Sequence, residues 1–466
     1  MDLSQLDLLD LSARLEGGQT TSLAVTQALL DRIGRLDGDL HAYAWLTAES
    51  ALAEAAHADA ERASGGARGP LHGVPLAVKD LCWTRDVPTA AGMAIHRDFR
   101  PAEDASVVRR LREAGAVLLG KLQMTEGAYS DHHPSVTAPV NPWGADYWPG
   151  VSSSGPGVAL AAGLCLGAVA SDTGGSIRWP CAANGVTGLK PSWGRVSRHG
   201  VVELAASLDH VGPMARSVRD LAALLQVIAG PDPRDPTARQ APVPDYLAAA
   251  GRGGAGLRLG IDRAWNAQGV DPQVAATVTE AEAVFRALGA QIVEVTFPDV
   301  SQALADWPLD CAVQAAVAHA ATYPARRQDY GSVLASVIET GLAASAADYQ
   351  RVLLRRMDLR GRADAVLAGV DVLLTPVHPF APLSLATIAT LGEQPDLIAG
   401  LQRYTCPFDM TGHPTLALPG GVDAAGLPIG LQLVAADLGE PALLAAGAAF
   451  QAATAWHRRR PALAEA

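Results

Sequence analysis

The segments Gly150-Val151-Ser152-Ser153-Ser154-Gly155-Pro156-Gly157 and Asp172-Thr173-Gly174-Gly175-Ser176-Ile177-Arg178-Trp179-Pro180 lie on either side of an apolar stretch, residues 158–167, that is predicted to be a helix. Consecutive glycines leave backbone N–H groups free to converge on one point, which suits an oxyanion. A serine directly after them places its hydroxyl where it can attack the carbonyl group that those amides polarise. A plain tight turn, with a serine cap in the first segment, is the alternative interpretation of each.

A third segment, Gly73-Val74-Pro75-Leu76-Ala77-Val78-Lys79-Asp80, is an apolar, strand-like run that ends in a lysine. Lysine is rarely buried without a partner. Lys79 therefore lies either in solvent at the end of a strand or in a site where removal from water favours its neutral form. Taken alone, the segment favours the solvent position.

In this order, the three segments resemble the amidase signature family, most specifically in the run from Pro149 to Ser197. Later segments share the resemblance: 188–191 (Gly-Leu-Lys-Pro), 194–197 (Gly-Arg-Val-Ser), 371–376 (Asp-Val-Leu-Leu-Thr-Pro), 411–414 (Thr-Gly-His-Pro) and 426–432 (Gly-Leu-Pro-Ile-Gly-Leu-Gln). The likeness extends over nearly the whole chain. It implies an α/β fold with a large mixed, mostly parallel central β-sheet flanked by helices on both faces.

The order of elements independently favours a sheet covered by helices. Strand-like residues 116–119 and 257–261 alternate with helical stretches at 104–115 and 271–289. Such alternation implies βαβ units and substantial parallel pairing.

The chain is predicted to form a single domain, residues 1–466, in which residues 1–63 are helices that wrap the remainder. Residues 230–256 hold five prolines and the run Gly251-Arg-Gly-Gly-Ala-Gly256. We interpret them as a surface excursion, although a linker would have the same composition.

The resemblance implies a catalytic triad of Lys79, Ser152 and Ser176. Ser176 corresponds to the nucleophile and Lys79 to the base. Ser152, 24 residues before Ser176, corresponds to the serine that bridges them through a cis peptide bond. A serine hydroxyl needs a base to remove its proton, and lysine serves only when neutral.

The serine loop departs from the Gly-Gly-Ser-Ser-Gly-Gly-Ser pattern of the family, because Val151, Ser154 and Pro156 stand at two glycine positions and one serine position. Three adjacent serines make Ser153 the second candidate for the bridging residue. Valine before Ser152 also restricts the backbone more than glycine does.

The turn after the apolar stretch is predicted to bind the oxyanion of the tetrahedral intermediate through backbone N–H groups. The donors would be those of Thr173, Gly174, Gly175 and Ser176. Asp172 and Arg178 are expected to orient this turn through a charge-assisted pair without reacting themselves.

Composition excludes several classes of protein. The 466 residues are 49% hydrophobic, and 36 basic against 48 acidic side chains give a formal charge of −12. A disordered chain would be more polar, and an acidic excess repels nucleic acid. The five cysteines form no Cys-x-x-Cys pair, and the histidines have no ligand spacing, so neither a metal nor a cofactor is expected.

The beginning of the chain, Met1-Asp2-Leu3-Ser4, lacks the pattern of a signal peptide, and the apolar run at 158–170 is shorter than the roughly 20 residues that cross a bilayer. We expect a cytoplasmic protein, monomeric or homodimeric, whose partner is a small amide or carbamate and neither nucleic acid nor membrane.

The leading functional hypothesis is an amidase that acts on an apolar or aryl amide, an anilide or a urethane. The predicted substrate pocket includes Met124, Tyr129 and Phe380, because the segments around them carry few charges. One alternative is the glutamine-hydrolysing subunit of a tRNA amidotransferase, which the altered serine loop disfavours. The other is a non-catalytic binding homologue, which retention of all three triad residues disfavours.

Overall fold

The computed structural model describes residues 6–462, so the expectation about Met1-Asp2-Leu3-Ser4 lies outside the described part. The strands are β1 Tyr43–Leu46, β2 Pro75–Lys79, β3 Val117–Leu122, β4 Gly167–Asp172, β5 Thr187–Lys190, β6 His210–Ala215, β7 Arg258–Ile261, β8 Gln291–Glu294, β9 Val372–Pro376, β10 Thr415–Val422 and β11 Pro428–Val434.

Helices cover both faces of the sheet that these strands form. They are α1 Leu8–Glu16, α2 Ser22–Leu40, α3 Ala48–Ala63, α4 Ser106–Glu113, α5 Ser154–Ala161, α6 Arg178–Asn184, α7 Val218–Ile228, α8 Tyr246–Ala250, α9 Arg263–Ala267, α10 Pro272–Ala287, α11 Ser301–Ala318, α12 Ser332–Ala343, α13 Ala346–Leu367, α14 Leu385–Ala389, α15 Pro395–Gln402, α16 Cys406–Thr411 and α17 Glu440–Ala453. No described helix is long and apolar enough to cross a membrane.

The eleven described strands form one mixed sheet in the order β1-β3-β2-β4-β6-β5-β10-β11-β9-β7-β8. The predicted α/β class is confirmed, but the sheet is not mostly parallel. Of its ten neighbouring pairs, four are parallel and six antiparallel. The antiparallel pairs run through the centre, where β10 and β11 are joined by the short turn 423–427, and so short a connection cannot join parallel strands.

Residues 1–63, predicted to be helices, contain α1, α2 and α3 in their described part, but they also contain β1, which pairs with β3 at the edge of the sheet. The left-handed backbone of His41 ends α2 just before this strand. Thr21 caps α2 by accepting a hydrogen bond from the Ala24 N–H at 3.1 Å. One face of α2 is buried through Val25, Leu29 and Ile33. The α2 and α3 helices pack on each other and against β3, so this region covers one side of the sheet near β2 and β3.

The apolar stretch after the serine loop forms a helix earlier than predicted. The α5 helix begins at Ser154 and is followed by Gly163, whose φ of +67° favours glycine and ends the helix. Gly167, predicted to be helical, instead begins β4. Gly155 permits close packing, because a Cβ there would lie 2.5 Å from the backbone of Gln123.

Residues 230–256 are attached to the rest of the molecule at several points. The Asp232 carboxylate accepts hydrogen bonds from the Ser197 hydroxyl, at 2.7 Å, and from the Ser106 hydroxyl. The Tyr246 hydroxyl accepts one from Arg195 Nε at 2.7 Å, and α8 packs on α17.

Candidate active site

Two neighbouring parallel strands position the site. Lys79 is the last residue of β2 and Asp172 the last of β4. Parallel pairing of Ala77 with Ala168 brings the carboxyl ends of both strands to the same edge of the sheet. The turn that continues from Asp172 therefore lies close to Lys79.

Lys79 is fully buried among hydroxyl groups. Its Nζ donates to Ser152 Oγ at 2.7 Å and to Ser171 Oγ at 2.9 Å. Burial lowers the pKa of Lys79 to about 7, although the negative charges of Asp172 and Asp209 oppose the shift. The neutral amine is thus far more accessible at neutral pH than in a lysine exposed to water. Ser171, which the sequence analysis did not single out, is the second partner.

The three predicted triad residues are brought together. Ser152 is fully buried beside Lys79, and the Val151–Ser152 peptide bond is cis. The Ser153 N–H donates to the Ser176 carbonyl oxygen at 3.3 Å, which joins the serine loop to the turn. The Ser153 hydroxyl donates elsewhere, to the Ser171 carbonyl oxygen at 3.2 Å.

Asp172 organises the turn that contains Ser176. Its carboxylate accepts hydrogen bonds from the N–H groups of Gly175, at 2.7 Å, and Ile177, at 2.9 Å. The prediction that four N–H groups point at an oxyanion is therefore wrong for Gly175, whose N–H is already occupied. Within residues 6–462, the N–H groups of Thr173, Gly174 and Ser176 have no protein acceptor. These three donors are available to a substrate.

Asp172 and Arg178 form the expected charge-assisted pair. Arg178 Nε and Nη2 donate to the two oxygens of Asp172 at 3.0 and 2.8 Å, and Nη2 also donates to Asp409 at 2.6 Å. Burial alone would raise the pKa of Asp172, but Arg178 and the surrounding donors hold it well below its usual value. The turn is thus anchored by a permanent negative charge in a buried network.

Asp209 is a second anchor that the sequence analysis missed. Its carboxylate accepts a hydrogen bond from Thr173 Oγ1 at 2.7 Å and others from the N–H groups of Leu204 and Ala205 at 3.0–3.1 Å. Asp209 therefore connects the turn that contains Ser176 to the segment that carries Leu204. The available signal was an acidic residue in the mainly apolar stretch 204–215.

A cavity of about 150 Å³ opens on Ser176. Its walls are mainly aromatic and aliphatic: Tyr129, Trp148, Trp179, Trp307, Leu204, Leu391, Ile398 and Leu401. Trp307 Nε1 donates to the Thr173 carbonyl oxygen at 3.0 Å, which joins one wall to the oxyanion turn. Among the described residues that line the cavity, none is Asp, Glu, Lys, Arg or His.

Of the three predicted pocket residues, only Tyr129 lines this cavity. Met124 is fully buried in the main hydrophobic core instead. Phe380 lines a separate, much smaller cavity with His378, and its ring packs close to Gly400. Apolar segments that look alike in sequence thus divide between core and cavity, because only packing determines which side chains face the site.

Within the described residues, no group of three or more His, Cys, Asp or Glu side chains could hold a metal ion. The five cysteines are free and buried. The polar groups that the structure places around Ser152 and Ser176 include hydroxyl groups, the amine of Lys79 and backbone amides.

Comparison with known proteins agrees with this geometry. The Amidase family model matches residues 24–444. The protein named "Putative amidase AmiD" of Mycobacterium tuberculosis is 48% identical over 460 residues, which are 98% of this chain and 96% of the relative. A relative from Myxococcus xanthus, one of the subunits of its glutamyl-tRNA(Gln) amidotransferase, is 40% identical, covering 98% of this chain and 99% of the relative.

Among solved structures, the peptide amidase of Stenotrophomonas maltophilia superposes with a TM-score of 0.82 at 32% identity, covering 98% of each chain. The chain belongs to the amidase signature family. The chain is accordingly an amidohydrolase.

Proposed function

We propose that this chain hydrolyses the C–N bond of neutral, apolar amides and carbamates through an acyl-enzyme on Ser176. The observation that carries the proposal is the hydrogen bond from the buried Lys79 to Ser152, in a loop whose next residue, Ser153, donates to the carbonyl oxygen of the cavity-lining Ser176. A lysine with a pKa near 7 is available as a base at neutral pH.

In the first half of the reaction, Ser176 Oγ attacks the carbonyl carbon of the substrate. The Ser176 proton moves to Ser152 as the Ser152 proton moves to the neutral amine of Lys79. The resulting ammonium group returns a proton through Ser152 to the departing nitrogen, the C–N bond breaks, and the amine leaves. Lys79 and Ser152 thus act as base and then as acid.

In the second half, water attacks the ester on Ser176 and gives one proton through Ser152 to Lys79. Lys79 returns a proton through Ser152 to Ser176 Oγ as the C–O bond to Ser176 breaks, and the carboxylic acid is released. Hydrolysis of a carbamate at its C–N bond would release a carbonic acid monoester, which loses carbon dioxide.

The oxyanion formed in each half would accept hydrogen bonds from the N–H groups of Thr173, Gly174 and Ser176. Loss of one such donor typically lowers the rate by about 10²–10³-fold. Because Asp172 occupies the Gly175 N–H, that residue supports the shape of the turn. The turn is thereby held in place before the substrate arrives.

The walls of the cavity favour an apolar or aryl group on the substrate. Three tryptophans and Tyr129 surround the space above Ser176. Large aromatic side chains supply extensive contact area for apolar ligands. Aryl amides, anilides and urethanes therefore suit the site.

Glutamine, the substrate in the amidotransferase alternative, suits the site less well. Its α-ammonium and α-carboxylate groups would enter a cavity whose described lining carries no opposite charge. Removing an unpaired charge from water is costly. A binding role without catalysis would leave the buried, neutralised Lys79 without a use.

The test is turnover by the purified chain of a neutral 4-nitroanilide with an apolar acyl group, such as the butyryl compound, alongside the matching ester, the matching carbamate and L-glutamine. We expect nitroaniline release by the unmodified chain, little ammonia release from glutamine, and loss of activity by about 10⁴-fold or more in Ser176→Ala. Ser130→Ala is the matched control, because Ser130 also lines the cavity but its hydroxyl donates to Asp131. Full activity of Ser176→Ala would overturn the assignment, and a preference for glutamine would favour the amidotransferase alternative.

A further inference from the structure

The contact that distinguishes this serine loop involves Ser154, one of the positions at which the loop departs from the family pattern. Ser154 is fully buried and is the first residue of α5. Its Oγ lies 3.2 Å from Nε2 of His132, within hydrogen-bond distance. A glycine at this position has no side chain and could not make the contact.

His132 belongs to a segment, residues 125–132, that is also joined to the serine loop at its other end. The Thr125 N–H donates to the Ser152 carbonyl oxygen at 3.3 Å. Within the segment, Thr125 Oγ1 donates to the Tyr129 carbonyl oxygen at 2.5 Å. The segment is therefore attached to the serine loop on both sides of Tyr129.

Tyr129 forms part of the cavity wall, and its ring stacks on Trp307 with 6.4 Å between ring centroids. A change in the position of residues 125–132 would move this wall relative to Ser152. The distance between the apolar wall and the reacting atoms depends on both attachments.

We propose that His132 and Ser154 are a pair of positioning residues that hold the Tyr129 wall against the serine loop and thereby set the affinity for apolar substrates. The inference deepens the proposed function and rests on it. Neither residue is assigned a part in bond making or proton transfer.

The protonation state of His132 is consistent with this role. Burial lowers the pKa of His132 to about 4, in spite of the nearby Asp131. At neutral pH the ring is therefore neutral, with one nitrogen able to donate and the other to accept. A neutral ring can exchange a hydrogen bond with a serine hydroxyl without burying a charge.

The experiment compares His132→Ala, Ser154→Ala and the double variant with the unmodified chain. We expect each single variant to raise KM for the butyryl 4-nitroanilide by about tenfold, to change kcat by less than about threefold, and to leave the pH dependence unchanged. The double variant should be no worse than either single variant, because both remove the same contact. His132→Gln, which keeps a side-chain donor and acceptor, should recover part of the loss.

The adjacent His133 gives a matched control. Its Nδ1 lies 2.7 Å from Ser135 Oγ on the exposed part of the loop, so His133→Ala should leave KM unchanged. Multiplicative effects of the two single variants, an unchanged KM, or an equal effect of His133→Ala would each overturn the inference.

A binding measurement separates this inference from the proposed function. In a Ser176→Ala background, quenching of tryptophan fluorescence by the same anilide reports its Kd through the cavity tryptophans. The pair variants should raise that Kd about tenfold, and an unchanged Kd would overturn the positioning role. Absence of anilide turnover by the unmodified chain would contradict only the proposed function.

Discussion

Nζ of Lys79 lies 2.7 Å from Oγ of Ser152, while the carboxylate of the next residue, Asp80, pairs with Lys121 at 3.1 Å. The acidic residue next to Lys79 in sequence is therefore paired with a different lysine. Lys79 itself is buried among hydroxyls. Removal of its ammonium group from water is the physical cause of its lowered pKa.

We therefore expect kcat/KM to rise with pH through about 7, because Lys79 must lose its proton before it can act as a base. Below that pH the ammonium form dominates and activity should fall about tenfold per pH unit. Lys79→Ala should lose nearly all activity and this pH dependence with it. A flat profile between pH 5 and 9 in the unmodified chain would contradict the assignment of Lys79.

Asp209→Asn should lower kcat by roughly 10-fold to 100-fold, since Thr173 and the Leu204 segment lose their common charged acceptor. The same change should shift the acidic limb of the pH profile to lower pH. The negative charge of Asp209 stabilises the ammonium form of Lys79, so its removal lowers the lysine pKa further. Thr173→Val is the control, because it removes the Thr173 contact and keeps the charge. If the acidic limb of the pH profile stayed at the same pH in Asp209→Asn, the proposed effect of the Asp209 charge on the pKa of Lys79 would be contradicted.

Asp172→Asn should lower the free energy of unfolding by about 3–5 kcal/mol, because it leaves the buried Arg178 with only Asp409 as a charged partner. Urea denaturation at pH 7 measures the loss. Activity should fall as well, since the N–H groups of Gly175 and Ile177 lose a charged acceptor.

The contribution of Asp172 should also depend on pH. Its pKa is lower in the folded chain than the value of about 4 expected in the unfolded chain. The stabilisation is therefore fully present above pH 4 and is lost as the pH falls below it towards the folded pKa. The difference in stability between the unmodified chain and Asp172→Asn should narrow below pH 4, and a constant difference would contradict this linkage.

The absence of charged side chains from the described cavity lining predicts selection by charge. A neutral butyryl anilide should be hydrolysed with a kcat/KM at least about 100-fold above that of a succinyl anilide, whose carboxylate would be buried without a partner. The comparison is made by measuring kcat/KM for both anilides at low and at high salt. Equal rates would show that the acyl group remains in water and would contradict the apolar pocket.

The serine loop, the Ser176 turn and the strand-like run before Lys79 were visible as local patterns, and their assignment to a catalytic triad followed from the resemblance to the amidase signature family. Glycine-rich and serine-rich segments constrain the backbone within a few residues, and the apolar strand before Lys79 is visible as a run. The helices α2, α3 and α10 were predictable for the same reason, since periodicity and caps are local.

Other features depended on contacts between distant residues. The central antiparallel strands, the occupation of the Gly175 N–H by Asp172 and the division of Met124, Tyr129 and Phe380 between core and cavity follow from packing. Asp209 reaches Thr173 across 36 positions, and His132 reaches Ser154 across 22. No short pattern encodes such pairs.

Lys79 shows most clearly the difference between what the sequence determined and what only the folded chain determined. The residue types around it, taken alone, favoured an exposed strand end, and the resemblance to the amidase signature family identified it as a candidate base. The serine loop, β4 and the turn after it enclose Lys79 with hydroxyls and exclude water. A lysine becomes a base at neutral pH through its surroundings, because desolvation acts on the ammonium group only when the folded chain has closed around it.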